Sequence, residues 1–360
     1  MSQFNFSCSQ CGAELRYEPG TSSLICPYCG HKNEVQKEEA RIEEIDLREY
    51  LRKLRLNAPT HEIVTIQCSN CAAETTFDPK VTAADCPYCG TSLVFTKKNT
   101  NQILSPGSLL PFEINHKEAG KKYREWIQGL WWAPNSVKKR ARQDSGIIGM
   151  YVPYWTYDSH TVSHYQGERG EDYYVTENYT EEVDGRSVTR SRRVKKIRWY
   201  RVSGTVRLFF DDVLVLASRS LPKKYADELE PWDLKNLVPY KDDYLRGFRS
   251  EAYHIDMDQG FDIAKEIMDG RIRIAIRRDI GGDHQRIRSV NTHHNSVTFK
   301  HILLPIWISS YHYGGKIYQF LVNARTGEVQ GERPWSWIKI TLAVLAAAIT
   351  LFMIYYVMNM

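Results

Sequence analysis

No cysteine follows residue 89 in this chain of 360 residues, although all eight lie at or before it. Disulfides that staple a secreted protein would be spread through the fold rather than crowded at one end. The opening stretch, Met1 to Ser7, has neither a basic n-region nor an apolar h-region, so no signal peptide is expected. Both absences predict a reducing compartment, where metal binding is the expected use of the thiols. Catalytic signatures are missing too. There is no G-x-x-x-x-G-K-[ST], which excludes a P-loop ATPase, and no H-E-x-x-H, G-x-S-x-G or G-x-G-x-x-G. The chain is therefore expected not to be an enzyme.

The cysteines belong to a repeat at a 60-residue offset. Cys8-Ser9-Gln10-Cys11 matches Cys68-Ser69-Asn70-Cys71, and Cys26-Pro27-Tyr28-Cys29-Gly30 matches Cys86-Pro87-Tyr88-Cys89-Gly90. Between the pairs, Glu14, Tyr17 and Pro19 match Glu74, Phe77 and Pro79. A C-x2-C turn aims two thiolates at one point, and two such turns supply the tetrahedral four-thiolate set that Zn2+ favours. The spacing predicts two zinc ribbons, over 1–33 and 61–100. Their ligands are Cys8, Cys11, Cys26 and Cys29, then Cys68, Cys71, Cys86 and Cys89, with one Zn2+ in each. A rubredoxin-like iron site would use the same ligands. Gly30 and Gly90 suit the strained position after the second turn. Each ribbon is too small to fold on its own core, so metal is expected to be its main source of stability.

Charge is unevenly spread. Residues 1–100 hold 11 Lys+Arg against 13 Asp+Glu, a net −2, whereas the rest hold 37 against 30, a net +7. Four thiolates around Zn2+ add −2 per site. Acidic ribbons are poorly suited to nucleic acid and better suited to protein partners. Between them, Glu34 to Leu56 has no Gly or Pro, with acidic residues leading and basic ones following, as a helix dipole favours. It predicts a charged helical linker over 34–60, serving as a spacer or as a partner-binding helix.

Ile340 to Met358 has no charge over 19 residues. At ~1.5 Å per residue it spans roughly 28 Å, close to the hydrocarbon thickness of a bilayer. Trp335 and Trp337 stand at one end, Tyr355 and Tyr356 at the other, as interfacial anchors do. A transmembrane helix is expected over 335–358. Arg333 and Lys339 flank its N-terminal end, so the positive-inside rule places the preceding domains in the cytoplasm.

Residues 101–334 predict an α+β domain with antiparallel sheet. A helix is expected from Asn115 to Trp132, stopped at Pro134, and a short one from Phe261 to Met268. Strands are expected at Tyr151 to Trp155, Tyr173 to Val183, Val188 to Val202, Val206 to Leu216, His301 to Tyr313 and Lys316 to Val322. Asp184-Gly185 and Gly314-Gly315 are hairpin signals. Arg271 to Ile276 alternates with period two and reads as a further strand. Asp256 to Gly260 lacks the glycine and glutamate positions of a calcium loop and reads as the capped start of the Phe261 helix. Val152-Pro153-Tyr154-Trp155 and Leu304-Pro305-Ile306-Trp307 look alike, which raises an internal duplication. Arg186 to Arg207 holds nine basic residues and no acidic one. It could lie on anionic lipid, bind nucleic acid, or be a solvated face.

These motifs occur together with Leu110-Pro111-Phe112, Gly129 to Asn135, and Val322-Asn323-Ala324-Arg325-Thr326-Gly327-Glu328-Val329 just before the apolar segment. The combination resembles a family of bacterial membrane-anchored tandem zinc-ribbon proteins, often labelled primosomal-helicase-like or TFIIB-type. The helicase label rests on the ribbon alone, since every motor motif is missing here. The resemblance implies a partner role beside SPFH (flotillin-like) and phage-shock proteins in envelope maintenance. The expected function is thus a membrane-tethered adaptor at the cytoplasmic membrane. The alternative is a membrane-tethered nucleic-acid-binding protein.

Overall fold

The computed structural model describes residues 7–35, 42–54, 61–68, 70–71, 73–77, 83–89, 91–94, 99–140, 146–183 and 186–359. Three long strands dominate it: Ile148–Val183, Arg186–Leu216 and His284–Tyr313. The first is central and pairs antiparallel with both others. The free edge of His284–Tyr313 is covered in turn by short partners. Ile45–Asp46 pairs with Thr298–Phe299, Ser108–Leu109 with Ile302–Leu303, and Lys316–Asn323 with Ile306–Tyr313. The expected α+β architecture with antiparallel sheet is what the structure contains. Val183 pairs with Arg186, as a two-residue hairpin requires; the Asp184-Gly185 signal itself lies outside the described residues.

Side chains alternate across the sheet, so odd and even positions of the first strand face different layers. The odd face carries Tyr151, Trp155 and Tyr157 and receives two helices, His116–Gly129 and Met257–Ile280. The even face carries Met150, Val152 and Tyr154 and is covered by the second cysteine ribbon and the segment around Leu229. Both ribbons therefore dock on the sheet, on opposite sides: Tyr17, Leu24 and Val35 of the first pack with Phe112 and Tyr151.

The two look-alike segments are neighbours related by a local two-fold. Val152 pairs with Leu304, Tyr151 with Pro305 and Pro153 with Leu303. The bonds around them repeat. Trp155 Nε1 donates to the Ile255 carbonyl at 2.7 Å, and Trp307 Nε1 to the Ile114 carbonyl at 2.8 Å. Each isoleucine immediately precedes a helix N-cap, Asp256 or Asn115. Ala217 N–H donates to Pro153 O at 3.0 Å, and Ala324 N–H to Pro305 O at 3.1 Å. Ser108–Leu109 runs parallel beside Ile302–Leu303, as Arg249–Ser250 does beside Met150–Tyr151. The duplication is thus structural, and each half places its helix start on the other half's tryptophan.

Three expectations need correcting. Arg271 to Ile276 is not a strand. It belongs to the helix Met257–Ile280, which extends well past the expected Phe261 to Met268. From Gly260 on, its buried residues, Gly260, Ala264, Met268, Ile272, Ile276 and Ile280, recur every fourth position, so one helical stripe faces the sheet. Gly260 is required, because a Cβ there would collide with the Tyr157 and Trp155 rings. Asp256 does occupy the N-cap, but its side chain makes no capping bond. Second, the charged linker is not one helix from Glu34 to Leu56. Glu34 ends a ribbon strand, Ile45–Asp46 joins the large sheet, and only Leu47–Leu54 is helical among the described residues. Edge pairing with Thr298–Phe299 outcompetes the weak intrinsic helix signal. Third, the second ribbon runs past residue 100, since Asn99–Ile103 pairs with His61–Thr65.

Trp337–Met358 forms one helix of 22 residues with none of it buried in the protein, so it is long and apolar enough to cross a membrane. At ~1.5 Å per residue it is roughly 33 Å long.

Candidate metal centres

The structure brings the eight cysteines together as two tetrads, Cys8/Cys11/Cys26/Cys29 and Cys68/Cys71/Cys86/Cys89, with the sulfurs of each within 4.8 Å of one another. Local turns do the positioning. Cys8 N–H donates to Ala13 O at 2.7 Å and Cys26 N–H to His31 O at 2.9 Å. The second ribbon repeats this, with Cys68 N–H on Ala73 O and Cys86 N–H on Thr91 O, both at 2.8 Å. Gly30 closes its turn at φ +74°, a conformation that costs glycine least. Gly90, its counterpart, lies outside the described residues.

Across the knuckles, the sulfurs of Cys8 and Cys29 are 3.5 Å apart and those of Cys11 and Cys26 are 3.4 Å apart. The equivalent separations in the second ribbon are 3.6 Å for Cys68–Cys89 and 3.7 Å for Cys71–Cys86. A disulfide needs about 2.05 Å. A tetrahedral ion with metal–sulfur bonds of about 2.3 Å sets its ligands roughly 3.8 Å apart. All eight thiols are free, and their spacing fits a shared cation. Backbone N–H groups of Cys29 and Tyr28 point at the Cys26 sulfur and pull its pKa down to about 6, against burial. Burial opposes ionisation of Cys89, yet bonds from Thr91 hold it at about 6. Burial pushes Cys71 far up. Only a cation can hold all four sulfurs of such a set as thiolates.

The two ribbons differ in what covers them. In the first, Cys11, Cys29 and the tip Pro27-Tyr28 face solvent, with Tyr28 84% exposed. In the second, Pro87, Tyr88 and Cys89 are buried and Tyr88 is 0% exposed. The Tyr88 carbonyl accepts from Gln319 Nε2 at 2.9 Å, and its hydroxyl lies 3.5 Å from Met150 Sδ. A polar knot beside it ties the ribbon to the sheet. His254 Nε2 is 3.1 Å from Glu74 Oε2, His254 Nδ1 is 3.4 Å from Glu251 Oε1, and Ser218 Oγ donates to Glu251 Oε1 at 2.9 Å. Burial raises Glu251 to about 7, partly offset by the hydroxyls of Ser220, Tyr88 and Ser218. Sequence reasoning missed this knot. Its members come from three distant segments, and nothing in their spacing joins them.

The basic stretch lies on the second long strand. Beyond the Gly170–His284 pair only two strands remain, so residues 171–183 and 186–198 form a projecting arm roughly 43 Å long at ~3.3 Å per residue. Its positive charges face acidic residues across the hairpin. Lys195 meets Asp172 at 2.6 Å, Lys196 meets Glu177 at 2.8 Å, and Arg190 meets Glu181 at 3.2 Å. Arg193 and Arg198 lie over the rings of Tyr174 and Tyr173. On the next strand, Arg286 and Arg288 both reach Glu168. The arm is thus a mixed-charge surface rather than a uniformly basic one.

No family model matches the chain, and no solved structure matches it. It is similar to a Bacillus subtilis (strain 168) protein described as the uncharacterized protein YdjG, with 27% identity over 338 residues that cover 92% of this chain and 90% of that one.

Proposed function

We propose that this chain is a membrane-tethered, zinc-binding adaptor that recruits protein partners to the cytoplasmic face of a membrane and performs no catalysis itself. The observation that carries the reading is the unequal covering of two matched knuckles. The second ribbon spends its Cys86-Pro87-Tyr88-Cys89 tip on the chain's own sheet, while the first presents Pro27-Tyr28 to solvent. A tip already shown to seat in an apolar socket within this chain is suited to seat in a partner's. Cys8, Cys11, Cys26 and Cys29 would hold one Zn2+, and Cys68, Cys71, Cys86 and Cys89 a second. Four-thiolate zinc closes each ribbon and leaves no coordination position for chemistry. The apolar helix supplies the tether, and Arg333 and Lys339 at its start favour a cytoplasmic orientation. The resemblance to membrane-anchored tandem ribbon proteins supports an SPFH-type or phage-shock partner in envelope maintenance.

The test is affinity purification of the full chain from crosslinked, detergent-solubilised membranes, comparing wild type with Tyr28→Ala. A stoichiometric protein partner, lost in the variant while two zinc ions per chain are retained, supports the adaptor. Nucleic acid recovered without protein, and lost in an Arg192→Ala/Arg193→Ala variant, would transfer the function to the arm. The ion pairs within the arm speak against that second reading.

A further inference from the structure

The tail helix does not hang from the domain by a free linker. Its first turn is fastened to the corner that follows the His116–Gly129 helix. Ser336 N–H donates to the Trp132 carbonyl at 2.8 Å. The Lys339 ammonium donates to the Trp131 carbonyl at 3.0 Å and to the Ala133 carbonyl at 2.9 Å. Ser336 Oγ accepts from Lys339 N–H and caps the helix. Two chain segments some 200 residues apart thus meet at the start of the apolar helix.

What they present there is unusual for a surface bathed in water. Trp131 is 74% exposed and Trp337 78%, and Trp132 and Trp335 are exposed as well. Of the nine tryptophans only these four are exposed: Trp155 and Trp307 are buried, and Trp126, Trp199 and Trp232 are half-buried. Indoles with an apolar body and one polar N–H favour the boundary between hydrocarbon and water. Positive charge surrounds them. Arg333 lies over the Trp335 ring, and the short helix Asn135–Arg140 that follows the corner carries Lys138 and Lys139. Cations beside interfacial indoles complement anionic phospholipid headgroups.

We infer that the Trp131-Trp132 corner is a second membrane contact: it inserts into the headgroup region of the leaflet that the tail helix enters, holding the domain flush against the bilayer in one orientation. This rests on the reading that Trp337–Met358 spans the membrane. The depth follows from the bonds. Residues 336 and 339 lie within one helical turn of the boundary, about 5 Å along the axis, so the carbonyls they bind lie at that level too. The Lys339 ammonium, held by two carbonyls of the corner, stays at the polar boundary instead of following its helix inward. A fixed orientation also fixes where the exposed knuckle of the first ribbon stands above the membrane.

The experiment uses the full chain reconstituted in vesicles of phosphatidylcholine and phosphatidylglycerol. A benzophenone photocrosslinking amino acid replaces Trp131, Leu345 or Phe209, one position per sample, and lipid adducts are read by mass spectrometry. The Trp131 side chain is exposed and only its carbonyl makes the bonds named above, so the replacement preserves them. Leu345 is the positive control within the tail helix, and Phe209, exposed on the second long strand, is the negative one. Lipid adducts at 345 and 131, lost at 209, support the contact. An adduct at 345 without one at 131 overturns it and leaves the tether standing. No adduct at 345 removes the membrane reading, and the contact falls with it. Adducts of equal strength at 209 and 131 overturn it as well.

Discussion

The two ribbons share a repeat, a ligand spacing and the same knuckle hydrogen bonds, yet Tyr28 is 84% exposed and Tyr88 is fully buried. Metal-site geometry is local and was copied with the sequence. Covering is not local, because it depends on which face of the sheet each ribbon meets. On the even face, Met150, Gln319 and the Glu74–His254–Glu251 knot form a socket for the knuckle tip. On the odd face, the first ribbon docks through its hairpin instead, with Tyr17 against Tyr244 and Gly20 N–H on the Phe112 carbonyl. Its knuckle points away. The difference teaches that two copies of one repeat, with matching cysteine clusters, can end with one tip buried against the chain's own sheet and the other exposed.

The sharpest way to break this comparison is to remove one ligand from each ribbon. Cys26→Ser and Cys86→Ser should each lower bound zinc from two ions to one per chain, measured by elemental analysis. A stoichiometry that stays at two in Cys26→Ser would sink the four-thiolate assignment. Cys86→Ser should also loosen the even face of the sheet. Structural zinc contributes roughly 10 kcal/mol or more to a small metallo-domain, and of the two ribbons only the second packs on the sheet's even face. Hydrogen exchange over Met150–Tyr154 should rise more in that variant than in the other.

Truncating the paired tyrosines comes next. Tyr88→Ala empties a fully buried aromatic site and should cost about 3–5 kcal/mol, read as a lower thermal midpoint in detergent. Tyr28→Ala should stay within about 0.5 kcal/mol of wild type, while abolishing partner recovery. Equal destabilisation by the two would erase the distinction.

A pH series sharpens it further. Glu251 has a folded pKa of about 7, raised by burial, so the folded state keeps a proton that the unfolded chain has already released. That contribution is complete below the unfolded pKa and is lost as pH rises through about 7. The loss amounts to about 3 kcal/mol at most between pH 5 and pH 8. Glu74, Tyr88 and His254 face the same carboxyl. Burial holds His254 below the usual imidazole range, which acts in the opposite direction, on the acid side. The melting temperature should therefore decline on the alkaline side, and Glu251→Gln should flatten that slope. Among variants of the covered ribbon's socket, the smallest expected effect is that of Gln319→Ala. It removes one hydrogen bond to the Tyr88 carbonyl and should cost about 1 kcal/mol.

Much of this was legible from residue order, for identifiable reasons. Cysteine ligands two residues apart meet through a single turn, so the tetrads needed no tertiary information. The apolar run 340–358 carries its own length criterion. The hairpin at Gly314-Gly315 is set by local turn chemistry, both residues having positive φ. Arg271 to Ile276 was misleading because R-I-R-I-A-I satisfies period two over six residues. Only the full stripe from Gly260 to Ile280 shows the four-residue spacing. The long strands were read as fragments because bulges near Asp158 and Gln166 shift their register. Their outer halves also leave the core, so alternation fades there. The basic stretch misled in another way: its counter-charges, Asp172, Glu177 and Glu181, sit on the preceding strand and pair only in the folded hairpin.

The sequence by itself determined the two four-cysteine clusters, the apolar tail and an antiparallel α+β domain, because each follows from interactions within a few residues or one continuous segment. Tertiary structure decided which ribbon is covered, that the duplicated halves exchange their helix starts, and that Trp131 and Trp132 share a corner with the tail helix. Those outcomes depend on the sheet register, which fixes the face each side chain occupies. They also depend on bonds between segments tens to hundreds of residues apart, which no local spacing encodes.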